Sequence, residues 1–508
     1  MKSKTKNSFQ SVISLVTSHK RSYLFFLVCY SLIACGNDKG LDPEEPPTGG
    51  QTNGQNVTTY VTTSSRSYNL NKQAVEFNPK TSMSPLTVTL SPANTFQTMD
   101  GFGVAITGST CFNLMQMKQA DRTAFLTETF SPEKGFGFSY VRISIGCSDF
   151  SLGEYTCCDT EGIENFALQS EEKNYIIPIL KEILSVNPTL KIMGTPWTCP
   201  RWMKVNNLTD KQPFNSWKSG RLNPDYYQDY GLYFVKWIKA FAQEGITIYS
   251  ITPQNEPLND GNSASLHMEW QEERDFVKTA LGPQLKKAGI DVKIYAWDHN
   301  FDAYDYPLNI YADAEANAYF AGAAFHDYAG SNSVLDIVHR QYPDKELLFT
   351  ESSIGEWNAG RNLEERLLKD MDYLILGNVN NWCKGVIVWN LMLDSDRGPN
   401  RGDEGGCPTC YGAVDIGYDY KTITRNSHYY VIAHIASVVK PGAVRIATSG
   451  YEDTAGNIRF AAFQNADKSY AFIAINKQNE EKSIIVNDGK RNFTCKLPAK
   501  SVVSSSWK

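Results

Sequence analysis

Positive charge is not in surplus in this chain. Its 508 residues carry 49 lysines and arginines against 55 aspartates and glutamates, for a net charge of −6 and a pI near 5.8. That balance argues against a nucleic-acid binder, which would present a basic stripe. Long apolar runs are also missing. The best candidate, "YLFFLVCYSLIAC" at 23–35, is too short to span a bilayer comfortably. Cysteine cannot form a complete framework either. There are 11, and setting aside Cys29 and Cys35 for the reasons below leaves an odd number. Cys407 and Cys410 in "CPTC" have no second Cys/His pair at matching spacing, so a zinc site is poorly supported. A local loop clip, or free thiols, is the expectation there.

What is present begins with a targeting segment. Lys2, Lys4, Lys6, Lys20 and Arg21 precede the short apolar stretch, and "LIAC" at 32–35 has the form of a bacterial lipobox. The expectation is a lipoprotein signal over 1–34, cleavage before Cys35 and lipidation of Cys35. This places the mature chain in a bacterial cell envelope, on the outer membrane. An ordinary signal peptide or a short membrane anchor is the plainer alternative. Residues 35–57, "CGNDKGLDPEEPPTGGQTNGQNV", hold little that could build a core and read as a flexible tether.

Beyond the tether, hydrophobic residues make up 42% of the chain and aromatic residues 12%, enough for a large core. "YVTTSSRSYNL" and "PLTVTLSP" alternate like β-strands, as do "NIRFAAFQN", "SYAFIAINK" and "SVVSSSW" near the C-terminus. Both chain ends, 58–95 and 430–508, are therefore expected to build one antiparallel β-sandwich. Between them, over 96–429, eight short apolar runs recur, most separated by helical patterns. They start at 101, 140, 191, 249, 292, 321, 346 and 385. Eight strands alternating with helices predict a (β/α)8 barrel, in which chemistry collects at the C-terminal ends of the strands.

The runs end in polar or aromatic residues. Glu256 follows the fourth, in "TPQNEP", and Glu351 closes the seventh, in "FTESS". Strands four and seven of an eight-stranded barrel face each other across its mouth. Two carboxyls so placed suit glycoside hydrolysis, one protonating the leaving oxygen and the other acting from the opposite side. For one carboxyl to remain the acid, its pKa must rise, and the nucleophile's negative charge is the expected cause.

Here the chain resembles glycoside hydrolase family 30, retaining enzymes that include glucosylceramidases and microbial β-1,6-glucanases. The resemblance covers about residues 96–508. It rests on "GFGVAITGS" (101–109), "YVRISIGCSDFS" (140–151), "GTPWTCPRWMK" (194–204), "TPQNEP" (252–257), "FHDY" (325–328), "FTESS" (349–353) and "WNLMLDSDRGPN" (389–400). It implies Glu256 as acid/base and Glu351 as nucleophile. It implies Asp149, Trp197 and Asn255 at the subsite of the attacked sugar, with Tyr328, Trp389 and Asn400 around the cleft. Arg142 would orient the nucleophile, and His326 is read as a supporting residue. Each also has a plainer reading as a cap, a core ring or a packed histidine. Asp327 departs from the glucosylceramidase pattern, which has an aromatic there, and so bears on the leaving-group side.

The expected activity is retaining hydrolysis of β-glucosidic bonds in a polysaccharide or oligosaccharide, with an endo-β-1,6-glucanase the leading form and no metal or organic cofactor required. Glucosylceramidase, β-glucosidase or xylanase activity of the same family is the first alternative; Arg397 and Arg401 keep xylanase in view. The second is a surface lipoprotein that binds glycans without cleaving them. Oligomeric state is not legible.

Overall fold

The computed structural model describes residues 56–79, 84–400 and 406–508. The signal segment, Cys35, the tether up to residue 55 and Arg401 lie outside the described residues. Counting only strands of the two large sheets, three come first: β1 (Asn56–Thr63), β2 (Asn71–Glu76) and β3 (Thr87–Thr98). Eight more form the barrel. These are β4 (Gly101–Ala105), β5 (Tyr140–Ser144), β6 (Lys191–Thr195), β7 (Ser250–Ile251), β8 (Lys293–Asn300), β9 (Phe320–His326), β10 (Glu346–Glu351) and β11 (Cys383–Val388). The last six are β12 (Val444–Gly450), β13 (Ile458–Gln464), β14 (Tyr470–Asn476), β15 (Lys482–Asn487), β16 (Asn492–Leu497) and β17 (Ser501–Trp507).

The barrel closes in chain order from β4 to β11, and β11 pairs back onto β4. Every pair in it is parallel. All eight expected runs supply its strands. Two are shorter than the runs suggested. The fourth contributes only Ser250–Ile251 to the ladder, so "PQNEP" is a polar loop beyond it. The eighth leaves the barrel after Val388, and Met392–Asp394 pairs in a separate small sheet.

Alternation along the strands fills the interior in layers. At the N-terminal ends, Lys191 pairs with Asp100 at 2.7 Å and Lys293 with Glu346 at 2.7 Å, closing the barrel floor with ion pairs. Above them Tyr140, Met193, Tyr295, Ala324, Leu348 and Ile387 form a buried apolar layer. Two residues further along stand Arg142, Thr195, His326 and Thr350, with Trp389 just past the end of β11. Strand β8 breaks the pattern. Trp297 and Asp298 are left-handed, with φ of 76° and 55°, and the ladder slips between Trp297 and His299. This bulge turns Asp298 inward in place of Trp297.

The second sheet runs β2-β1-β17-β14-β13-β12-β3-β15-β16. Its two edges meet at a bridge between Phe77 and Phe493, so it folds over its own apolar core. Its pairs are antiparallel except β3 with β15, which run parallel. The helix Ser427–Val438, almost wholly buried, joins the two bodies. Its Tyr429 hydroxyl meets Thr129 on the barrel side at 3.1 Å, and its His434 bonds Ser504 of β17 and Thr62 of β1.

Candidate active site

Arg142 occupies the centre of the barrel mouth with no exposed surface. Burying a guanidinium is costly unless all its donors are matched. Here Nη1 donates to Glu351 Oε2 at 2.6 Å, and Nη2 donates to Asn255 Oδ1 at 2.6 Å and Asp298 Oδ2 at 2.8 Å. Its cation also lies 4.9 Å from the Trp197 ring centre and 5.5 Å from that of Trp389. One residue thus fixes the orientation of three others. Glu351 receives a further bond from the Tyr328 hydroxyl at 2.8 Å. Asn255, its carbonyl held by Arg142, keeps its amide N–H groups for a ligand.

Asp298 is a hub as well. It accepts from Arg142, from Thr252 at 2.8 Å and from Thr350 at 2.6 Å, and meets His326 Nε2 at 3.1 Å. The Arg142 and His326 charges overcome its burial and hold it far below the usual carboxylate range. His326 Nδ1 then lies 3.0 Å from Glu256 Oε1, and Asn259 donates to Glu256 Oε2 at 2.6 Å. Glu256 itself is left-handed, φ 44°, with its N–H bonded to the Asp298 carbonyl at 3.1 Å. A non-glycine residue in that region carries strain that the surrounding bonds must hold.

The electrostatics correct the expectation that the nucleophile's charge lifts the acid. Burial does push Glu256 up, but the His326 bond and charge outweigh it and leave Glu256 at about 2. Burial pushes Glu351 up, with His326 and Arg142 opposing. Burial would lower His326, yet Glu351, Asp298 and Glu256 raise it to about 9. In the free enzyme His326 and Glu256 thus hold one proton between them, His326 also facing Asp298. Reasoning from sequence missed this because a cation stands where only the two glutamates were weighed.

A carboxylate oxygen of Glu256, one of Glu351 and a ring nitrogen of His326 all lie within 4.8 Å of one another. Such a trio has metal-ligating chemistry, but both His326 nitrogens already bridge carboxylates, which is the arrangement of a held proton. The two carboxyls are too close for an intervening water in an inverting geometry, and match direct attack by one of them. They line a cleft of about 460 Å³ with Asp149, His299, Tyr328 and Trp389.

A family model for the glycosyl hydrolase family 30 TIM-barrel domain matches residues 99–439, and one for that family's β-sandwich domain matches residues 442–505. The chain belongs to glycosyl hydrolase family 30. It is a glycoside hydrolase of a retaining family, and a glycan is its substrate. Among solved structures it is similar to the endo-β1,6-glucanase BT3312. The identity is 64% and the TM-score 0.86, over 89% of this chain and 99% of that one. An endo-1,6-β-D-glucanase of Neurospora crassa is 32% identical over 78% of this chain and 82% of its own length. A putative glucosylceramidase 4 of Caenorhabditis elegans is 28% identical over 88% and 87%.

On this family 30 frame the other expected residues separate. Asp149 and Trp389 line the cleft beside the glutamates. Trp197 is 2% exposed and stacks under Trp389, ring centres 5.3 Å apart, so it backs the wall rather than forming its surface. Asn400 sits in the loop after β11, its amide donating to the Arg397 carbonyl at 2.6 Å, and is not among the residues lining the cleft. Asp327 faces away, into a second cavity behind Tyr328, where burial pushes its carboxyl up to about 7. Cys407 and Cys410 form a disulfide at the cleft edge, and the seven other described cysteines are buried thiols. Asp298, Thr252, Thr350 and Asn259 were not singled out from sequence. The only signal for Asp298 was a carboxylate among the closing residues of the fifth run.

Proposed function

We propose that this enzyme is an endo-β-1,6-glucanase that cleaves β-1,6-linked glucan by double displacement. The observation that carries the mechanism is the close approach of the Glu256 and Glu351 carboxylates on a shared scaffold of Arg142, Asp298 and His326. The linkage follows the similarity to BT3312 and to the Neurospora crassa glucanase. In the first step a Glu351 oxygen, aimed by Arg142 and Tyr328, bonds to the anomeric carbon while the glycosidic C–O bond breaks. The leaving oxygen takes a proton from Glu256. Asn255 donates to the sugar 2-hydroxyl, a bond that tightens as the ring flattens. In the second step Glu256 removes a proton from water, which attacks the same carbon and releases Glu351.

His326 links the two glutamates in time. The charge of Glu351 is the largest influence holding the proton on His326. Forming the ester bond removes that charge, so the proton shifts toward Glu256 as the leaving oxygen requires it. The same reading keeps the enzyme on an envelope membrane through lipidated Cys35, where it meets glycan outside the cytoplasm.

The test is digestion of β-1,6-glucan, β-1,3-glucan, cellulose, xylan and glucosylceramide, with products sized over time. Rapid shortening of β-1,6-glucan to mixed oligosaccharides is expected. A mechanism-based fluorosugar should label Glu351, and Glu351→Gln should lose turnover by many orders of magnitude. Labelling at another residue would overturn the assignment.

A further inference from the structure

A second cavity of about 320 Å³ lies directly behind one wall of the cleft. Tyr328, Ser353 and Trp357 line both spaces, so they form a thin partition with a ligand-accessible face on each side. Trp357 is 54% exposed, the most exposed tryptophan among the described residues. Its ring is nonetheless fixed in place. It lies so flat on Gly355 that a Cβ there would fall 1.9 Å from a ring carbon. Gly355 pairs with Cys410 of the disulfide loop, the Glu356 N–H donates to the Thr409 carbonyl at 2.9 Å, and the Glu356 carboxylate pairs with Arg397. Loops after β10 and β11 together hold this ring in the open, where leaving it exposed brings no packing gain of its own.

The far side of the partition is polar and aromatic in the mixture that recognises sugars. Asp327, Lys369 and Tyr373 line it. Lys369 is exposed and makes no ion pair among the described residues. A carboxyl, an ammonium and a phenol around a pocket this size offer donors and acceptors to hydroxyls, with rings for the apolar faces of a pyranose.

We propose that this cavity is an additional sugar subsite, and that the glucan passes from the cleft over Trp357 to place a residue beside Asp327, Lys369 and Tyr373. The proposal rests on the glucan reading above. It assigns Asp327 a contact with substrate remote from the cleaved bond, and makes the loop that carries Trp357 a determinant of chain-length preference.

The experiment compares wild type with Lys369→Ala, Tyr373→Phe and Asp327→Asn on a ladder of β-1,6-linked gluco-oligosaccharides and on the polymer. Each variant should lower kcat/KM about tenfold on the polymer, the worth of one hydrogen bond. Turnover of the shortest oligosaccharide that wild type cleaves should stay within about twofold, because its reaction uses none of these groups. Lys369 is on the surface, so its variant reports even where another misfolds. Equal losses on short and long substrates, or no loss on either, would overturn the subsite. If wild type leaves β-1,6-glucan intact, the linkage is wrong. The length comparison is then made on whichever glucan of the panel it cuts: a loss confined to long chains supports the subsite there, and any other pattern overturns it.

Discussion

His326→Gln separates the held proton from the rest of the machinery. The ring is buried between Glu256 and Asp298, at 3.0 and 3.1 Å, and within reach of Glu351's charge. Its pKa rises from 6.5 to about 9, which corresponds to about 3 kcal/mol favouring the protonated ring. In wild type the Glu256–His326 pair therefore keeps its one proton up to about pH 9, and the pair titrates as a unit. Glutamine cannot carry that proton. Glu256 then loses the bond and the charge that hold it at about 2, while burial and the Glu351 charge remain and push it up. The sign follows: without His326 the acid's proton must sit on Glu256 itself and is lost at the lower pH where that carboxyl titrates. The assay is kcat/KM against pH on a soluble oligosaccharide, with thermal melts of both proteins. The basic limb should move down by about two pH units or more, with the fold intact. A variant with an unchanged basic limb would refute the view that His326 stores the proton.

Two further outcomes follow from other parts of the chain. His434, which bridges the sandwich strands to the helix Ser427–Val438, and His428 in the first turn of that helix are both pushed down to about 3, by burial and, for His428, by the Arg366 charge as well. Because the folded pKa lies below the unfolded value of about 6.5, the unfolded state binds protons first, so stability present above that pH is lost as pH falls toward about 3. Each histidine should cost about 3 kcal/mol by about pH 4, and His434→Gln should flatten the drop in melting temperature between about pH 7 and pH 4; an equally steep drop would count against it. Cys35→Ala in the full-length chain should move the protein from the membrane pellet to the soluble fraction and abolish incorporation of a fatty-acid analogue, whereas unchanged pelleting would speak against lipidation at that thiol.

The periodic parts of this fold were legible because burial enforces them. All eight barrel strands announced themselves as apolar runs, and Glu256 and Glu351 were found by position as much as by type. What escaped was decided by geometry that alternation cannot express. Strict alternation on β8 points Trp297 inward after Lys293 and Tyr295; two left-handed residues put Asp298 there instead. The charge order of the two glutamates was misread for a related reason. His326, 70 residues from Glu256 in sequence, reaches it only once β9 is laid into the sheet. The loop after β11 was also opaque. That Arg397 pairs with Glu356, and that the 407–410 clip borders the cleft, follow from loop packing with no period.

The site's charge count explains why two glutamates need so much support. Glu256, Asp298 and Glu351 surround the cations Arg142 and protonated His326, all five residues at most 6% exposed, and Asp149 adds a fourth carboxylate at the cleft wall. His299, also at the cleft, is pushed down to about 4 and stays neutral. The mouth is left with a surplus of negative charge. Burial raises Glu351, and the Glu256 charge adds to that rise against the opposing charges of His326 and Arg142. An oxocarbenium-like transition state brings one developing positive charge to the same place. The negative surplus is therefore better matched to that transition state than to the neutral sugar of the ground state, which is the differential stabilisation that catalysis requires. Asp298 is essential to this balance. Without its charge the mouth would lose one unit of that surplus, so a buried hub outside the cleft lining helps set the field the substrate meets.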